Sequence, residues 1–157
     1  MGHCCSIASM RLLLAVECAL ALLCVTCLGQ VPDQSVILPS SEARSVTRLC
    51  SRQGPEHLGG GWLPSAEDIA KLERQLGDVS KMAPMSISKP FSYRRQYVGI
   101  IIDGKRFIYV NAFPSEMSDD HWKTRFVSVC DGGPSFWGVI FDPSTGKFSE
   151  LHGNGRA

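Results

Sequence analysis

The sequence has almost no excess charge of either sign. Its 157 residues contain 16 Lys and Arg against 15 Asp and Glu, which gives a formal net charge of +1. Without Arg11 and Glu17, which lie in the N-terminal segment described below, the counts are 15 and 14, and the net charge is again +1. A chain so close to neutral has no long-range attraction for nucleic acid or for an anionic membrane surface. We therefore do not expect nucleic acid as a partner.

The sequence also lacks the motifs of known catalytic and cofactor sites. Gly132 and Gly133 are not followed by the Lys-Ser/Thr pair and the helix that a P-loop requires, and no Gly-x-Ser-x-Gly stretch marks a nucleophilic serine. The run Asp119-Asp120-His121 resembles a metal cluster, but adjacent residues rarely converge on one ion. His57 and His152 stand alone in the sequence. We therefore expect no metal and no cofactor.

A hydrophobic segment occupies the N-terminus. Residues 12–28 are apolar except for two positions, Arg11 precedes them, and a polar stretch follows from Gln30. A basic flank, an apolar stretch and then small residues are typical of a secretory signal peptide. The sequence therefore predicts a signal peptide at 1–29 and a protein that is periplasmic or secreted.

Other interpretations of the N-terminal segment remain open. Cys24 or Cys27 would be the acylated residue of a lipoprotein signal, and an uncleaved membrane anchor is a further alternative. Glu17 argues against a stable membrane span, because a carboxylate costs roughly 2.5–3.5 kcal/mol at the centre of a bilayer. Either Met1 or Met10 begins the protein.

Cysteine is scarce outside this segment. Five of the seven cysteines lie within residues 1–29, the predicted signal peptide, which leaves Cys50 and Cys130. Two cysteines in an exported domain favour one disulfide. The bridge would close a loop of about 80 residues and contribute roughly 4 kcal/mol in the chain-entropy model. The alternative is a pair of unrelated buried thiols.

The remainder of the chain is predicted to be one domain. Residues 30–45 are rich in Ser and Pro and are predicted to be a flexible tether with a short edge strand at 36–38. The single folded domain is predicted at 46–157. Three consecutive glycines at 59–61 predict a loop over 54–61.

One helix is clearly indicated. Ser65 and Asp68 have the spacing of a capping box. An apolar stripe with helical spacing follows, which predicts a helix over 65–79. The residues of the stripe are Ile69, Leu72, Leu76 and Val79.

Strands are indicated after the helix. Two β-branched and aromatic runs, 93–102 and 105–113, flank Asp103-Gly104, which is a strong hairpin signal. The two-residue turn places Ile100 opposite Phe107, Val98 opposite Tyr109 and Tyr97 opposite Val110.

Three further strands are predicted at 122–130, 136–141 and 148–152, with a turn at 142–146. The expected fold class is therefore α+β, with one main helix packed on a four- to five-stranded antiparallel meander sheet.

The most unusual stretch is the glycine-rich one that follows Cys130. Its backbone N–H groups at Gly132 and Gly133 would suit an anion, and Phe136 and Trp137 would form an apolar wall beside Asp131. The interpretation we favour is structural, with a tight turn that follows a bridged cysteine. These residues nevertheless belong to the candidate binding surface.

A second candidate surface is basic. Arg94 and Arg95, together with Lys105 and Arg106, would form a cluster near the first hairpin that could contact an anionic partner. Such residues are more often a solvated strand edge that prevents aggregation.

Four stretches of the chain carry a resemblance. They are LCSR at 49–52, GWLPSAEDIAKLE at 61–73, YRRQYVGIIIDGKRFIYVNAFP at 93–114 and CDGGPSFWGVIFDPSTGKFSELHGNG at 130–155. With these stretches, the chain resembles a group of small exported bacterial proteins of unassigned function. The resemblance implies a natural exported domain and brings no chemistry with it. The order of a helix followed by a meander is also similar to cystatin-like domains, but a shared fold does not fix function.

Two functions are compatible with these features. The first is an exported, non-enzymatic binding or inhibitory module that contacts another exported or envelope protein through its sheet face or through loops at 114–120 and 131–136. The alternative is a small periplasmic hydrolase or ligand-binding cone that uses an acid such as Asp131. A filled helix–sheet interface favours the first function, and a deep pocket with convergent polar side chains favours the second.

Overall fold

The computed structural model describes residues 32–117 and 121–156. The predicted signal peptide, Asp119 and Asp120 lie outside these residues. The described residues belong to one unit, Val31–Ala157. Within them, no helix has both the length and the apolar character needed to cross a membrane.

The described chain forms a six-stranded sheet with one main helix. In chain order, the elements are β1 Ser35–Ile37, a 3₁₀ helix Ser40–Thr47, β2 Leu58–Trp62, α1 Ala66–Gln75, 3₁₀ helices Leu76–Lys81 and Pro90–Ser92, β3 Tyr93–Ile102, β4 Lys105–Pro114, a 3₁₀ helix Gly133–Ser135, β5 Trp137–Asp142 and β6 Lys147–Gly153. The strand order is β1-β3-β4-β5-β6, and β2 also pairs with β3.

The predicted α+β class is confirmed, but the prediction of a four- to five-stranded antiparallel sheet is wrong. β1 pairs in parallel with the first half of β3, whereas β2 pairs antiparallel with its second half. The sheet is therefore mixed and has more strands than predicted. β1 has only three residues, so its pattern is too short to reveal its direction.

The loop predicted at 54–61 is wrong from residue 58, where β2 begins, whereas residues 54–57 have no regular structure. The glycines of β2 are compatible with a strand because they allow close packing. A Cβ at Gly61 would collide with the Ser40 carbonyl and with the Ala43 side chain. The 3₁₀ helix at Ser40–Thr47 therefore lies directly against β2.

The hairpin of β3 and β4 confirms the predicted register. Its two turn residues, Asp103 and Gly104, have φ of 48° and 77°, as the predicted turn requires. The predicted pairs of Ile100 with Phe107, Val98 with Tyr109 and Tyr97 with Val110 are all present.

The helix is present and covers one face of the sheet. Ser65 and Asp68 form the predicted capping box, and the last turns continue as the 3₁₀ helix Leu76–Lys81. The four residues of the apolar stripe are at most 1% exposed and pack with Tyr97, Ile108 and Val110. This interface between helix and sheet is filled.

The opposite face is covered in part by residues of the predicted tether 30–45. Leu38, Ala43 and Val46 are buried there, against side chains of β3 and β4. The fold therefore includes β1 and the 3₁₀ helix that follows it, and it begins before the predicted boundary at residue 46. Both faces of the sheet carry a packed apolar layer.

The strand predicted at 122–130 is wrong, since the structure has no strand between β4 and β5 in its described residues. The turn predicted at 142–146 is present, and it ends with Gly146 at φ 74°. In this turn, Asp142 Oδ1 accepts hydrogen bonds from the amide and the hydroxyl of Ser144. These bonds hold the pKa of Asp142 below its usual value, although its partial burial acts in the opposite direction.

Candidate functional site

The segment that replaces the predicted strand is the first candidate site. Residues 121–136, here called the anchored segment, are irregular apart from their short 3₁₀ helix. Beneath the segment, Gln96 of β3 and Asn111 of β4 face each other in register. Their side chains are buried, at 0% and 2% exposure. Buried amides require hydrogen-bond partners, and these two find them in the anchored segment.

Gln96 binds the backbone of the anchored segment at three points. Its Nε2 donates to the carbonyls of Trp122 and Arg125, at 2.5 and 2.6 Å. Its Oε1 accepts the amide of Val127 at 2.9 Å. The Gln96 side chain thus forms hydrogen bonds with backbone N–H and C=O groups of the anchored segment that a neighbouring strand would otherwise pair with.

Asn111 extends this arrangement in two directions. Its Nδ2 donates to Gln96 Oε1 at 2.9 Å and to the carbonyl of Val127 at 2.8 Å. Its Oδ1 accepts a short hydrogen bond from Arg52 Nη2. Arg52 also donates through Nε to the Tyr109 hydroxyl at 3.0 Å. Burial raises the pKa of Tyr109, and nearby Arg52 offsets only part of this effect, so the hydroxyl stays protonated.

Asn154, in the C-terminal tail, completes the network. It accepts a hydrogen bond from Arg52 Nη1 at 3.2 Å. Its Nδ2 donates to the carbonyls of Val129 and Asp131, at 2.6 and 3.1 Å. No sequence pattern predicted these roles for Arg52, Gln96, Asn111 and Asn154. The only available signal was the polar pair Gln96 and Asn111 inside apolar strands.

The structure contains the predicted disulfide between Cys50 and Cys130, with an S–S distance of 2.17 Å. Both cysteines are exposed to solvent. The bridge joins the chain just before Arg52 to the anchored segment. It therefore acts on the same two stretches of chain that Asn154 connects by hydrogen bonds.

Apolar contacts hold the other end of the anchored segment. Trp122 and Val127 are buried against Phe113. The guanidinium of Arg94 and the ammonium of Lys123 lie over the Trp122 ring, at 5.2 and 5.6 Å from its centroid. Buried side chains and backbone hydrogen bonds therefore attach the segment to the sheet.

Most side chains that the segment presents outward take no part in these attachments. Those of Thr124, Arg125, Ser128 and Asp131 are exposed to solvent. Lys123 is also exposed, but its ammonium lies over the Trp122 ring.

Only part of the predicted glycine-rich surface is exposed to solvent. Asp131 and Gly132 are exposed, whereas Gly133 is buried beside the Arg156 side chain. Phe136 is half-buried and covers Gly132. Trp137 is fully buried in the core, and its position on the binding surface is therefore a wrong prediction. Its place in β5 opposite Ala112 turns its side chain toward the helix layer.

The predicted basic cluster does not form. Arg94 and Arg95 lie at the start of β3, whereas Lys105 and Arg106 lie beside the hairpin turn at its other end. Arg106 stacks over the Trp62 ring at 5.2 Å. A strand of ten residues separates the two pairs, so they cannot bind one anion together.

Arg95 is a buried structural residue. It is 2% exposed, and its Nε donates to Glu73 of α1 at 3.0 Å and to the Tyr97 hydroxyl at 3.0 Å. The Tyr97 hydroxyl donates a short hydrogen bond to the same carboxylate. Burial and the charge of Glu73 raise the pKa of Tyr97 well above its ordinary value. This triad attaches the helix to β3.

A cleft of about 410 Å³ is the second candidate site. Two histidines and three acids are among the residues that line it, namely His57, His152, Glu56, Asp103 and Glu150. Three of these five, His57, Asp103 and Glu150, are the non-glycine residues with positive φ in the described chain, at 55°, 48° and 53°. The histidines that stood alone in the sequence therefore share one cleft, which no sequence pattern indicated.

The chemistry of this cleft is that of a polar, half-open site. Asp131, the acid proposed from the sequence, does not line it. Among the described residues, no three His, Cys, Asp or Glu side chains are arranged to bind a metal ion. The cleft can offer histidines and carboxylates to a ligand, and it provides no preformed metal centre.

No protein-family model matches this chain, and comparisons with curated proteins and with solved structures also give no match.

Proposed function

We propose that the protein is an exported, non-enzymatic binding or inhibitory module, and that the anchored segment is its contact surface. The observation that supports this most strongly is the pair of buried amides, Gln96 and Asn111. Burying a polar side chain is costly unless its hydrogen bonds are satisfied. These two satisfy theirs largely by fixing an irregular, solvent-facing stretch of backbone.

A fixed irregular segment is well suited to binding. Loops on a rigid scaffold carry a large share of protein recognition. A segment that is already ordered loses less conformational entropy when a partner binds, which improves affinity without any new contact. The exposed side chains of the segment are then free to determine which partner is bound.

The packing around the sheet also supports a binding module. The interface beneath the helix is filled, so it leaves no deep pocket there for a substrate. Export is supported by the disulfide, because disulfides persist mainly in oxidising compartments. The partner we propose is another exported or envelope protein.

Site-specific photo-crosslinking tests this proposal. A photoreactive amino acid replaces Arg125 or Asp131, both exposed and on the anchored segment, in protein produced with its natural export route. Matched controls carry it at Lys147 or Ser149, which are exposed on β6. We expect one discrete crosslinked partner from the first pair and none from the second. Equal crosslinking from all four positions, or none from any, contradicts the proposal.

The cleft supports a second candidate, a small hydrolase or ligand-binding protein. Left-handed residues other than glycine are strained and tend to cluster at functional sites. Its volume of about 410 Å³ also lies within the range of small-molecule sites. In a hydrolase screen, this candidate requires turnover that H152A and E150Q remove and D131N preserves.

A further inference from the structure

We propose that the Cys50–Cys130 disulfide is a redox-sensitive clamp. It holds residues 130–135 in place and releases them when a dithiol reduces the bridge, while the sheet and the rest of the anchored segment stay folded. Three features of the structure support this: the exposure of the bridge, the uneven attachment of the anchored segment, and the position of both sulfurs outside the apolar layers.

The bridge is open to attack. Both cysteines are exposed, and we therefore expect an external thiolate to reach a sulfur without unfolding of the domain. That attack breaks the S–S bond and forms a mixed disulfide, which the second thiol of the same dithiol then resolves. Two electrons pass to the protein, the dithiol becomes a disulfide, and its two protons end on the thiols of Cys50 and Cys130.

The attachment of the anchored segment is uneven. Residues up to Val127 are held by Gln96 and Asn111, and these contacts do not involve the bridge. Val129 and Phe136 have apolar contacts at either end of the stretch in question. Between them, no residue of 130–135 belongs to a hydrophobic cluster.

Within the described residues, the stretch 130–135 is held to the rest of the fold, besides the bridge, by two hydrogen bonds and by the packing of Gly133 beside the Arg156 side chain. The Asp131 carbonyl accepts from Asn154 at 3.1 Å, and the Gly133 amide donates to the Gly155 carbonyl at 3.0 Å. Both bonds lead to the C-terminal tail rather than to the sheet. Loss of the bridge therefore leaves this stretch with little to fix it.

The other half of the bridge is better held. Arg52 makes three hydrogen bonds to Tyr109, Asn111 and Asn154, so the backbone beside Cys50 stays in place after reduction. Neither sulfur belongs to the packed apolar layers. We therefore expect reduction to release only the chain on the Cys130 side of the bridge.

Amide-resolved nuclear magnetic resonance tests the clamp. The exported protein, from which the predicted signal peptide has been removed, is treated with dithiothreitol without denaturant, and free thiols are counted by mass after alkylation. We expect two thiols and amide exchange at Gly133 that is about tenfold faster or more. The resonances of Arg125, Val127 and the central strands should keep their positions. The C50A/C130A variant should give the same spectrum without reductant and should not respond to it.

Three outcomes overturn the proposal. The first is that no thiols form unless denaturant is added. The second is collapse of the whole spectrum, which would mean that the bridge supports the entire fold. The third is an unchanged exchange rate at Gly133 after complete reduction.

If the anchored segment is the contact surface, as proposed above, reduction of the bridge should also weaken partner binding, and this part rests on the proposed function. The release of residues 130–135 does not rest on it, because the NMR experiment measures it on the protein alone. Release without any effect on crosslinking at Asp131 would therefore count against the proposed contact surface and leave the clamp in place.

Discussion

Replacing Gln96 with leucine should release the anchored segment while the rest of the fold persists. The side chain makes four hydrogen bonds, with Trp122, Arg125, Val127 and Asn111. Each is worth about 0.5–1.5 kcal/mol net, so their sum lies between about 2 and 6 kcal/mol. Leucine retains most of the side-chain volume, so a cavity adds little.

The expected loss lies toward the lower end of that range, at about 2–4 kcal/mol, because the freed backbone groups can reach water when the segment moves away. Urea unfolding measures the loss, and the dependence of the unfolding free energy on urea should decrease if the segment is already detached in the native state. Amide exchange at Val127, whose N–H bonds to Gln96, should become fast.

The matched control is Gln34→Leu, the same chemical change at an exposed position. It should shift stability by less than about 0.5 kcal/mol. A loss in Gln96→Leu no greater than that of the control, with unchanged exchange at Val127, would refute the idea that the buried amide holds the segment.

Three further predictions concern the core. Glu73→Gln leaves buried Arg95 without its ion pair and should cost about 3 kcal/mol in urea unfolding. Gly138→Ala places a methyl group against a buried tyrosine hydroxyl and should cost about 2–3 kcal/mol, whereas Gly77→Ala, with open space around it, should change thermal stability little. Because the folded pKa of Tyr97 is raised, folding stability should fall as the pH rises above about 10, and Tyr97→Phe should weaken that dependence in unfolding measured at about pH 9 and 11.

The elements that the sequence predicted correctly depend on nearby residues. The capping box of Ser65 and Asp68 and the hairpin turn at Asp103-Gly104 each lie within four residues of chain. Their physical causes, an unsatisfied helix N-terminus and a turn that needs positive φ, are visible in the sequence itself.

The elements that it missed depend on distant residues. The stretch 122–130 contains aromatic and β-branched residues as a strand does, but Gln96 and Asn111 occupy backbone groups that a ladder would use. β2 contains three glycines, and the 3₁₀ helix Ser40–Thr47, which packs against Gly61, explains why a residue without a side chain is needed there. The cleft unites His57 and His152 from opposite ends of the domain, and no local pattern connects them.

Because the buried amides bind backbone groups of the anchored segment, the side chains that would contact a partner can differ from the residues that stabilise the fold. A strand in place of the anchored segment would tie its side chains to the alternation of a sheet, with half of them facing the core. Here the hydrogen bonds from Gln96 reach backbone carbonyls and an amide, so the exposed side chains of Arg125 and Ser128 take no part in them. Changes at these two positions should alter partner choice with little effect on stability, whereas Gln96→Leu should lower stability and weaken binding to any partner of the segment.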